Sequence, residues 1–513
     1  MKNSKQKSAE TGTTTSIESF QKILSKRFPR PSDDTILVCP IGGVGRIGMN
    51  WTLYGHAGRW VLVDAGSTFA PRDVEGVEAI FPDPRSLRAI LPNLEALIVT
   101  HAHEDHIGAI HRLWPGLRVP IYATPFATAL ISSRIRESGN MGRVRLRTYR
   151  PGDTLKIGPF SVQTIKVAHS APECVALAFH TANAGTILHT GDWKLDPQPM
   201  IGAPTDVDAL RALGDKGVLG MVCDSTNADR DGSITSESDV ARGMQAVFAA
   251  SRGMTVVTCF STNVARIASV ARAAAATGRK VALSGRSLIR AEQAARETGL
   301  LDGVPEFLHD VRHLQGLDRR EMALLCTGSQ GEANAALGRL ASGDDWRLPP
   351  LQSGDVVVHS ARIIPGNETD VTEIFSMLEA RGARVLREEF EGMPLHVTGH
   401  ATAGEVAAMY ALVRPRFAIP VHGEKNHLDA HAAIARDAGV RDVVIAGEGD
   451  VFRVSRRKVE RIASVKIDLL AALSREHGPR FVPWNQDEQR PVLPEETKST
   501  VRRGEHTPAL KVA

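Results

Sequence analysis

Three histidines and an aspartate lie within positions 101–106 of this chain, in the segment ALIVTHAHEDHIGAI. The apolar, β-branched residues before them predict a buried strand over 96–100, and a helix is predicted to begin over 107–110. His101 and His103 alternate along extended backbone and therefore point to the same side, while Asp105 and His106 follow around the turn. Imidazole and carboxylate ligands at this spacing favour a borderline metal such as zinc over the alternative of a histidine-rich surface loop.

Further ligand-type residues follow predicted strands downstream. His169 stands where a three-histidine site needs its last imidazole, and Asp192 ends the strand TILHTGD with a carboxylate that can bridge two metals. The second metal position then lacks a ligand, and His422, after the run FAIPV, has the expected placement. The predicted metal ligands are His101, His103, Asp105, His106, His169, Asp192 and His422. Four other histidines have no comparable context and are interpreted as structural: His56, His111, His180 and His189.

The composition is that of a globular protein. The chain has 513 residues, 42% of them hydrophobic and 23% charged, which allows two or three domains. A net charge of +4 is compatible with a phosphate-bearing substrate. Five scattered cysteines argue against a disulfide framework and for a reducing compartment. The N-terminus lacks the apolar core of a signal peptide and no run is long enough to cross a bilayer, so we expect a cytoplasmic protein with no membrane partner.

The first part of the chain divides into a tail and the start of the fold. Residues 1–33 are polar and then basic, and we expect them to be disordered. Strands are predicted over 35–40 and 60–64, with the glycine-rich turn 41–48 close to the active site. Asp64, which ends the second strand, is predicted either to orient a metal-bound histidine or simply to form the turn.

Between residues 215 and 385 the pattern changes to alternating strands and helices. The strand candidates are GMVCDST, MTVVTCF, KVALSG, EMALLCTG and DVVVHS. Helices are predicted from Glu237, over 263–277, and near 287–298 and 331–341. Such alternation favours a parallel α/β sheet forming a separate cap domain.

Beyond the ligands, the order of several short motifs resembles one family. These motifs are VLVDAG, GVEAIFPD, HTGDWKLD, CDSTNAD, CTGSQGE, IPGNE, VTGHA and IPVHGEKNHL, spread over residues 35–450. In this order they resemble the ribonuclease J family, in the β-CASP branch of the metallo-β-lactamase superfamily. The resemblance implies an α/β fold, a four-layer αββα sandwich with an inserted β-CASP domain.

The resemblance also implies domain boundaries. The sandwich is expected over 34–214 and 386–460, and the β-CASP domain over 215–385. After residue 460 we expect only a short helix over 464–475 and a disordered tail to 513, in place of the folded C-terminal domain typical of the family.

Roles for individual residues follow from the resemblance as well. It implies two Zn²⁺ ions per chain, with Mn²⁺ as an alternative, and a catalytic set of Asp192, Asp224 and His400. On its own, Asp224 in CDST could equally be a turn or helix cap. The phosphate of the substrate is expected to contact Ser261, Thr398, Gly399 and His400.

The chain departs from the family pattern at a few positions. Ala265 stands where the family usually has a histidine, Arg46 stands where it has an acid, and HSARIIPGNE replaces a serine-rich version. The ligand residues themselves are all present. We therefore expect the departures to affect the path of the RNA and the mode of cutting rather than hydrolysis.

The implied function is metal-dependent hydrolysis of RNA in processing and decay. Single-stranded, 5′-monophosphorylated RNA is the expected substrate, cut 5′-to-3′ as an exonuclease with additional endonuclease activity. The expected partners are copies of the chain in a homodimer or homotetramer and an RNA-degradation complex. Two alternatives stay open: a β-CASP nuclease acting on DNA, and a non-catalytic scaffold that binds RNA.

Overall fold

The structure, a computed structural model, describes residues 27–474 except 72, 140, 233 and 234, together with 481–493. Most of the predicted N-terminal tail, and residues 475–480 and 494–513 of the predicted C-terminal tail, lie outside the described residues. The strands are β1 Ile36–Gly42, β2 Trp51–His56, β3 Arg59–Val63, β4 Val77–Pro82, β5 Leu94–Ile98, β6 Ile121–Ala123, β7 Leu146–Thr148, β8 Thr154–Ile157, β9 Phe160–Lys166, β10 Val175–His180, β11 Thr186–His189, β12 Gly220–Asp224, β13 Thr255–Thr258, β14 Lys280–Ser284, β15 Met322–Cys326, β16 Val356–His359, β17 Arg384–Leu386, β18 Glu389–Phe390, β19 Met393–Pro394, β20 Phe417–Val421, β21 Asp442–Val443, β22 Asp450–Val454, β23 Val459–Ser464, β24 Leu469–Leu473, β25 Phe481–Asn485 and β26 Arg490–Pro491. The α-helices are α1 Glu104–Ile107, α2 Ile110–Leu117, α3 Pro125–Glu137, α4 Val207–Lys216, α5 Glu237–Ala250, α6 Val264–Ala276, α7 Arg286–Glu297, α8 Ala336–Ser342, α9 Glu368–Ala380, α10 Ala403–Val413 and α11 Lys425–Asp437.

Two sheets packed face to face form the body of the protein. One has the order β23-β22-β1-β2-β3-β5-β6-β7 and the other the order β21-β20-β12-β11-β10-β9-β8. Side chains alternate along the strands: Ile36 and Val38 of β1 face the opposite sheet, whereas Leu37 and Cys39 join the cluster that also contains α2 and α3. Helices α4, α10 and α11 cover the second sheet. This arrangement confirms the αββα sandwich.

A third, parallel sheet forms the inserted domain. Its strand order is β14-β15-β13-β16-β17, and these strands lie between β12 and β20 in the sequence. Helices α6 and α7 pack on one face of this sheet, and α8 and α9 pack on the other. Side chains alternate along the strands, so Val257 joins the apolar cluster of the first helix pair and Val256 that of the second. The predicted helices from Glu237, over 263–277 and near 287–298 are therefore present, while the one predicted near 331–341 begins later, at Ala336.

One strand assigned to the inserted domain was placed wrongly. Gly220–Asp224 pairs in parallel with β11 and β20, so it belongs to the second sheet of the sandwich. Its fully buried sequence GMVCD looks the same in a cap sheet or a sandwich sheet, since both bury the two faces of an interior strand. Because β12 belongs to the sandwich, the chain leaves for the cap only after Asp224. The Asp224 carboxylate therefore stands at a strand end beside the candidate metal ligands.

The predicted helix over 464–475 was also wrong. Residues Leu469–Leu473 form β24, which pairs antiparallel with β4 on one side and with β25 on the other. Every residue of LLAAL is buried, and a continuous apolar run of this length does not distinguish a strand from a buried helix. The described part of the predicted disordered tail is likewise ordered, since β25 and β26 extend this four-stranded sheet.

Within the part of the chain that the structure describes, no helix combines the length and apolar character needed to cross a bilayer.

The C-terminal sheet gives a stability prediction. Ala471 is fully buried in β24, so an Ala471→Asp substitution places a carboxylate without a partner between two strands. We expect the free energy of unfolding to fall by about 3 kcal/mol or more. Urea denaturation followed by tryptophan fluorescence measures this loss. Ala182→Asp, at an exposed turn, is the matched control and should leave the midpoint unchanged; equal midpoints for both variants would contradict the buried strand.

Candidate metal centre

The turn after β5 holds the predicted ligands in a tight loop. His103 has extended backbone and caps α1, whose first turn contains Asp105 and His106. Gly66 allows the close approach of the neighbouring segment, because a Cβ at this position would lie 1.6 Å from the backbone oxygen of Asp105. The Ala65 N–H also donates to the His106 carbonyl. The loop is therefore fixed by backbone contacts as well as by its own short helix.

Three imidazoles gather beside Asp192. The Nε2 atom of His101 lies 3.6 Å, and that of His169 3.7 Å, from Asp192 Oδ2. His103 Nδ1 lies 3.0 Å from His169 Nε2. These atoms fall within 4.8 Å of one another, as expected for donors around a single ion bonded at about 2.0–2.2 Å. The structure thus brings together the first predicted group: His101, His103, His169 and Asp192.

The second group lies on the other side of the same carboxylate. His106 Nε2 is 3.2 Å from Asp192 Oδ2, and His422 Nδ1 is 2.9 Å from Asp192 Oδ1. Asp105 Oδ2 is 3.2 Å from His422 Nε2. His422 reaches this position from the end of β20, with its backbone at φ +54°, a strained conformation of the kind that clusters at functional sites. The structure thus brings His422, the late histidine expected from the sequence, together with Asp105, His106 and Asp192.

Outer hydrogen bonds orient the ligand imidazoles. Asp64 Oδ2 lies 2.7 Å from His106 Nδ1, and the Thr100 hydroxyl donates to the same carboxylate at 2.8 Å. His169 Nδ1 donates to the Gly399 carbonyl at 2.6 Å. Each of these bonds occupies the outer ring nitrogen and leaves Nε2 directed at Asp192. Asp64 therefore takes the first of its two predicted roles, orienting a candidate ligand.

The pKa shifts divide the histidines into two sets. Burial lowers the pKa of His103 to about 4 and that of His101 and His169 well below the usual range, so these imidazoles are neutral and can donate a lone pair. Burial also opposes the charged form of His106 and His422, but the neighbouring carboxylates, Asp192 first, outweigh it and raise both pKa values. Protons are drawn to the very positions where a cation would balance the same carboxylates.

Several buried polar atoms of the site have no hydrogen-bond partner among the described residues. They are His101 Nε2, Asp192 Oδ2 and both ring nitrogens of His422, whose short contacts within the site do not have the angles of hydrogen bonds. Buried polar atoms are normally paired, so these unpaired atoms among nitrogen and carboxylate donors are of the kind that a bound cation would satisfy. Nitrogen and carboxylate donors of this kind fit a divalent metal, and the residues present therefore fit the cofactor that the sequence predicted.

Asp224 and His400 form a pair beside the second group. Asp224 Oδ2 lies 2.7 Å from His400 Nδ1, while its Oδ1 accepts from the backbone N–H and hydroxyl of Thr226. One oxygen of Asp224 thus makes the turn contacts, and the other contacts His400. Burial raises the pKa of Asp224, but the charge of His400 and the hydrogen bond to it outweigh burial and keep the pKa well below its usual range. His400 Nε2 makes no hydrogen bond to any described residue.

Two of the predicted phosphate contacts, Thr398 and Gly399, lie beside this pair. The Thr398 hydroxyl accepts from Asn227 Nδ2 at 2.7 Å and from the His400 N–H at 3.1 Å, which leaves its own hydrogen for an outside acceptor. Gly399 packs so closely on His169 that a Cβ would lie 2.6 Å from that ring. Ser261 is half-buried just before α6, whose first turn is capped by Asn263.

The sequence analysis missed a cationic group next to this pocket. Neither ring nitrogen of His396 is paired among the described residues. Burial, and then the charges of Arg266, His359, Lys194 and Arg362, lowers the pKa of His396 far below its usual value. Of these neighbours, Arg266 and Lys194 are ion-paired with Glu237 and Asp196, and burial lowers the pKa of His359, so Arg362 is the cation without a carboxylate partner among the described residues. The position of His396 four residues before His400, in PLHVTGH, was the available signal.

Asn50 was also missed. Its side-chain amide lies 3.0 Å from Asp105 Oδ2 and 2.9 Å from His106 Nε2, so it contacts two candidate ligands of the second group. Asn50 follows the glycine-rich turn, and this turn lies at the site as predicted: Gly42 lines the metal pocket and the Gly43 carbonyl accepts from the His422 N–H at 2.6 Å.

Among the described residues, none of the histidines interpreted as structural belongs to the two donor groups, although His189 lines the metal pocket. His189 Nδ1 is 2.9 Å from the Tyr54 hydroxyl, and His56 Nδ1 donates to the Thr35 carbonyl at 2.9 Å. His180 Nδ1 lies 3.0 Å from the Thr186 hydroxyl. His111 lies in α2 on the outer helical layer.

The departures from the family pattern have structural consequences. Arg46 forms an ion pair of 2.9 Å with Glu448, and its backbone pairs with Gly423, the residue after His422. Ala265 is buried in the first turn of α6, directly behind Ser261 and Asn263 in sequence. Arg46 therefore borders the site, and neither change replaces a candidate ligand.

Three family models match the chain in the order of its domains. A model described as "Ribonuclease J, beta-CASP domain" matches residues 252–378. A "Beta-lactamase superfamily domain" matches 59–211, and a "Zn-dependent metallo-hydrolase RNA specificity domain" matches 394–446.

Similar proteins extend this result over most of the chain. Ribonuclease J of Sinorhizobium meliloti is 40% identical over 434 residues, covering 84% of this chain and 76% of that protein. Ribonuclease J of Mycolicibacterium smegmatis is 40% identical over 417 residues, 80% of this chain and 73% of that protein. A solved structure of a protein of unknown function from Enterococcus faecalis V583 has a TM-score of 0.54 at 15% identity, covering 82% of this chain and 100% of that one, and shares the fold. On this identity and coverage, the chain belongs to the ribonuclease J family.

Proposed function

We propose that the chain is a metal-dependent ribonuclease that hydrolyses the phosphodiester bonds of RNA. The observation that carries the proposal is the pair of donor groups sharing Asp192, with the Asp224–His400 pair beside them. The family relatives bear the name ribonuclease J, and one matching model is described as an RNA specificity domain. The fold alone would fit many hydrolases, so the assignment depends on this site and on the cap.

Two cations are proposed for the two donor groups. His101, His103 and His169 would hold one, Asp105, His106 and His422 the other, and Asp192 would contact both. We propose Zn²⁺ as the native metal and Mn²⁺ as an alternative. When bound, a divalent cation lowers the pKa of water to about 7 and neutralises charge on phosphoryl oxygens.

His400 supplies the proton chemistry in this proposal. Asp224 holds Nδ1, so Nε2 is the atom that carries a proton to the leaving ribose oxygen. The hydrogen bond with Asp224 also fixes the orientation of the His400 ring. The Thr398 hydroxyl and the His400 backbone are linked by a hydrogen bond, so positioning the acid and binding the phosphate are coupled.

A 5′-terminal phosphate is proposed to bind next to the scissile bond. Ser261, Thr398 and Gly399 would contact its oxygens, and His396 would face it from the basic group with Lys194 and Arg362 behind. Anchoring the 5′ end fixes the reading direction, which supports 5′-to-3′ removal of nucleotides, with endonuclease cutting where an internal strand enters the cleft. Single-stranded RNA is favoured because the site lies beneath a cap.

Assembly and location complete the proposal. The five free, buried cysteines suit a reducing cytoplasm. Family resemblance alone supports assembly into a homodimer or homotetramer and association with an RNA-degradation complex.

Substitutions should separate metal binding from proton transfer. We expect His400→Ala to keep its metal content and to lose about 10²- to 10⁴-fold in kcat, because only the acid is removed.

His103→Ala and Asp105→Ala should lose metal, and Asp64→Asn should weaken metal affinity about 10- to 100-fold by freeing His106 Nδ1. Metal analysis and gel assays measure both effects. His180→Ala is the control, and normal turnover in a metal-free His103→Ala, Asp105→Ala double variant would refute the proposal.

Chelation should abolish activity, and RNA should be cut in preference to DNA. We expect EDTA to stop digestion of 5′-monophosphorylated RNA and added Zn²⁺ or Mn²⁺ to restore it, because the donor groups are otherwise unpaired. A DNA strand of equal length and sequence serves as the comparison. Preferential cutting of the DNA would favour the alternative of a DNA nuclease, and tight RNA binding without single-turnover cleavage would favour a scaffold.

The phosphate pocket should reveal itself in the response to the 5′ end. Ser261→Ala removes a hydroxyl with few structural ties, and we expect about a 10-fold loss in kcat/KM for 5′-monophosphorylated RNA. RNA with a 5′-hydroxyl lacks the anion, so the Ser261→Ala variant and the unaltered protein should cut it at the same rate. Ser376→Ala, on an exposed face of α9, is the matched control. An equal loss on both substrates would remove Ser261 from the pocket.

A further inference from the structure

Arg362 is a cation of the cap that forms no ion pair with a carboxylate in the described part of the chain. It lies between β16 and α9, in the segment HSARIIPGNE where the chain departs from the serine-rich pattern of its family. Asp229, whose charge acts on the guanidinium, accepts a hydrogen bond from Asn426 at 3.1 Å instead. Gln330 fixes the loop: its Nε2 donates to the Arg362 carbonyl, and its Oε1 accepts from the Ile364 N–H, each at 2.8 Å. The guanidinium therefore projects from a loop that is held in place.

The guanidinium contacts a buried asparagine that follows β12. Arg362 Nη1 donates to Asn227 Oδ1, and the Asn227 residue is only 1% exposed. A guanidinium carries hydrogen-bond donors and no acceptor, so it can pair only with the oxygen end of a side-chain amide. Arg362 therefore determines which way the Asn227 amide is turned.

The nitrogen end of the same amide holds the predicted phosphate contact Thr398. Asn227 Nδ2 donates to the Thr398 hydroxyl at 2.7 Å and to the His400 carbonyl at 3.3 Å. The His400 N–H donates to the same hydroxyl at 3.1 Å, so both lone pairs of this oxygen are occupied and its hydrogen stays available to a ligand. If the amide turned over, Oδ1 would accept that hydrogen and would face the His400 carbonyl, oxygen to oxygen. The outward direction of the Thr398 hydrogen thus depends on the amide.

We propose that Arg362 and Asn227 are positioning residues that keep the Thr398 hydroxyl a donor to the 5′-terminal phosphate of the RNA. The inference rests on the proposed ribonuclease function and adds to it two residues that set how strongly the 5′ end is recognised. Arg362 belongs to the cap, so recognition of the phosphate becomes dependent on the position of the cap. The alternative is a direct contact between Arg362 and the phosphate, since this guanidinium also lies close enough to His396 to act on it.

The test compares two RNAs that differ only at the 5′ end. Arg362→Met keeps the length of the side chain and removes all its donors, so the Asn227 amide is free to turn. We expect about a 10-fold loss in kcat/KM for 5′-monophosphorylated RNA, the effect of one hydrogen bond to a charged group, and no loss for RNA with a 5′-hydroxyl. Metal content and the midpoint of urea denaturation should stay those of the unaltered protein. Arg252→Met, at an exposed arginine between α5 and β13, is the matched control.

A second background separates positioning from direct contact. Thr398→Val removes the hydroxyl and keeps the shape of the side chain, and it should itself cost about 10-fold in kcat/KM for the 5′-monophosphorylated RNA. Adding Arg362→Met to Thr398→Val should cost nothing more, because the hydroxyl through which Arg362 acts is already gone. A second loss of about 10-fold in the double variant would overturn the inference and make Arg362 a direct contact of the phosphate.

Three other results would also overturn it while the proposed function stands. They are equal losses of Arg362→Met on both RNAs, the sign of a purely structural bridge; unaltered kinetics of Arg362→Met where Thr398→Val is impaired; and unaltered kinetics of Thr398→Val. If the unaltered, metal-loaded chain cuts neither RNA, the proposed function fails as well.

Discussion

A single buried carboxylate, Asp192, holds the two halves of the site together. It is 2% exposed and lies within 4 Å of five histidines that come from four separate segments of the chain. Burying such a charge is costly unless opposite charge or hydrogen bonds compensate it. Without cations, the compensation comes from protons on His106 and His422, whose pKa values are raised mainly by this carboxylate. Metal binding would replace those protons with a more suitable charge.

The fold serves to bring these segments to one place. The loops after β5, β9, β11 and β20 meet at the edge of the two facing sheets, and the detour from β12 through the cap returns the chain with His400 and then His422. Asp224, at the end of β12, contacts His400. A residue just before the cap in the sequence therefore holds a residue just after it. The proton-transfer pair that we propose therefore depends on the cap domain folding back correctly.

Sequence reasoning located the candidate ligands because short strand-end motifs determine ligand geometry locally. It also found the cap helices α5, α6 and α7, but it predicted no helix at Glu368–Ala380 and placed the start of α8 too early. It failed where the outcome depends on distant partners: β12 joins the sandwich, and LLAAL becomes a strand only because β4 and β25 flank it. His396 and Asn50 were missed for a related reason, since a lone polar residue gains a role only from side chains that the fold brings near it.

The most direct measurement of the central claim is the number and position of metal ions around Asp192. Anomalous diffraction, recorded above and below the zinc and manganese absorption edges from crystals of the metal-loaded protein, locates them. The account predicts two peaks on opposite sides of Asp192, one among His101, His103 and His169 and the other among Asp105, His106 and His422. A single peak, or peaks not in contact with Asp192, would contradict it.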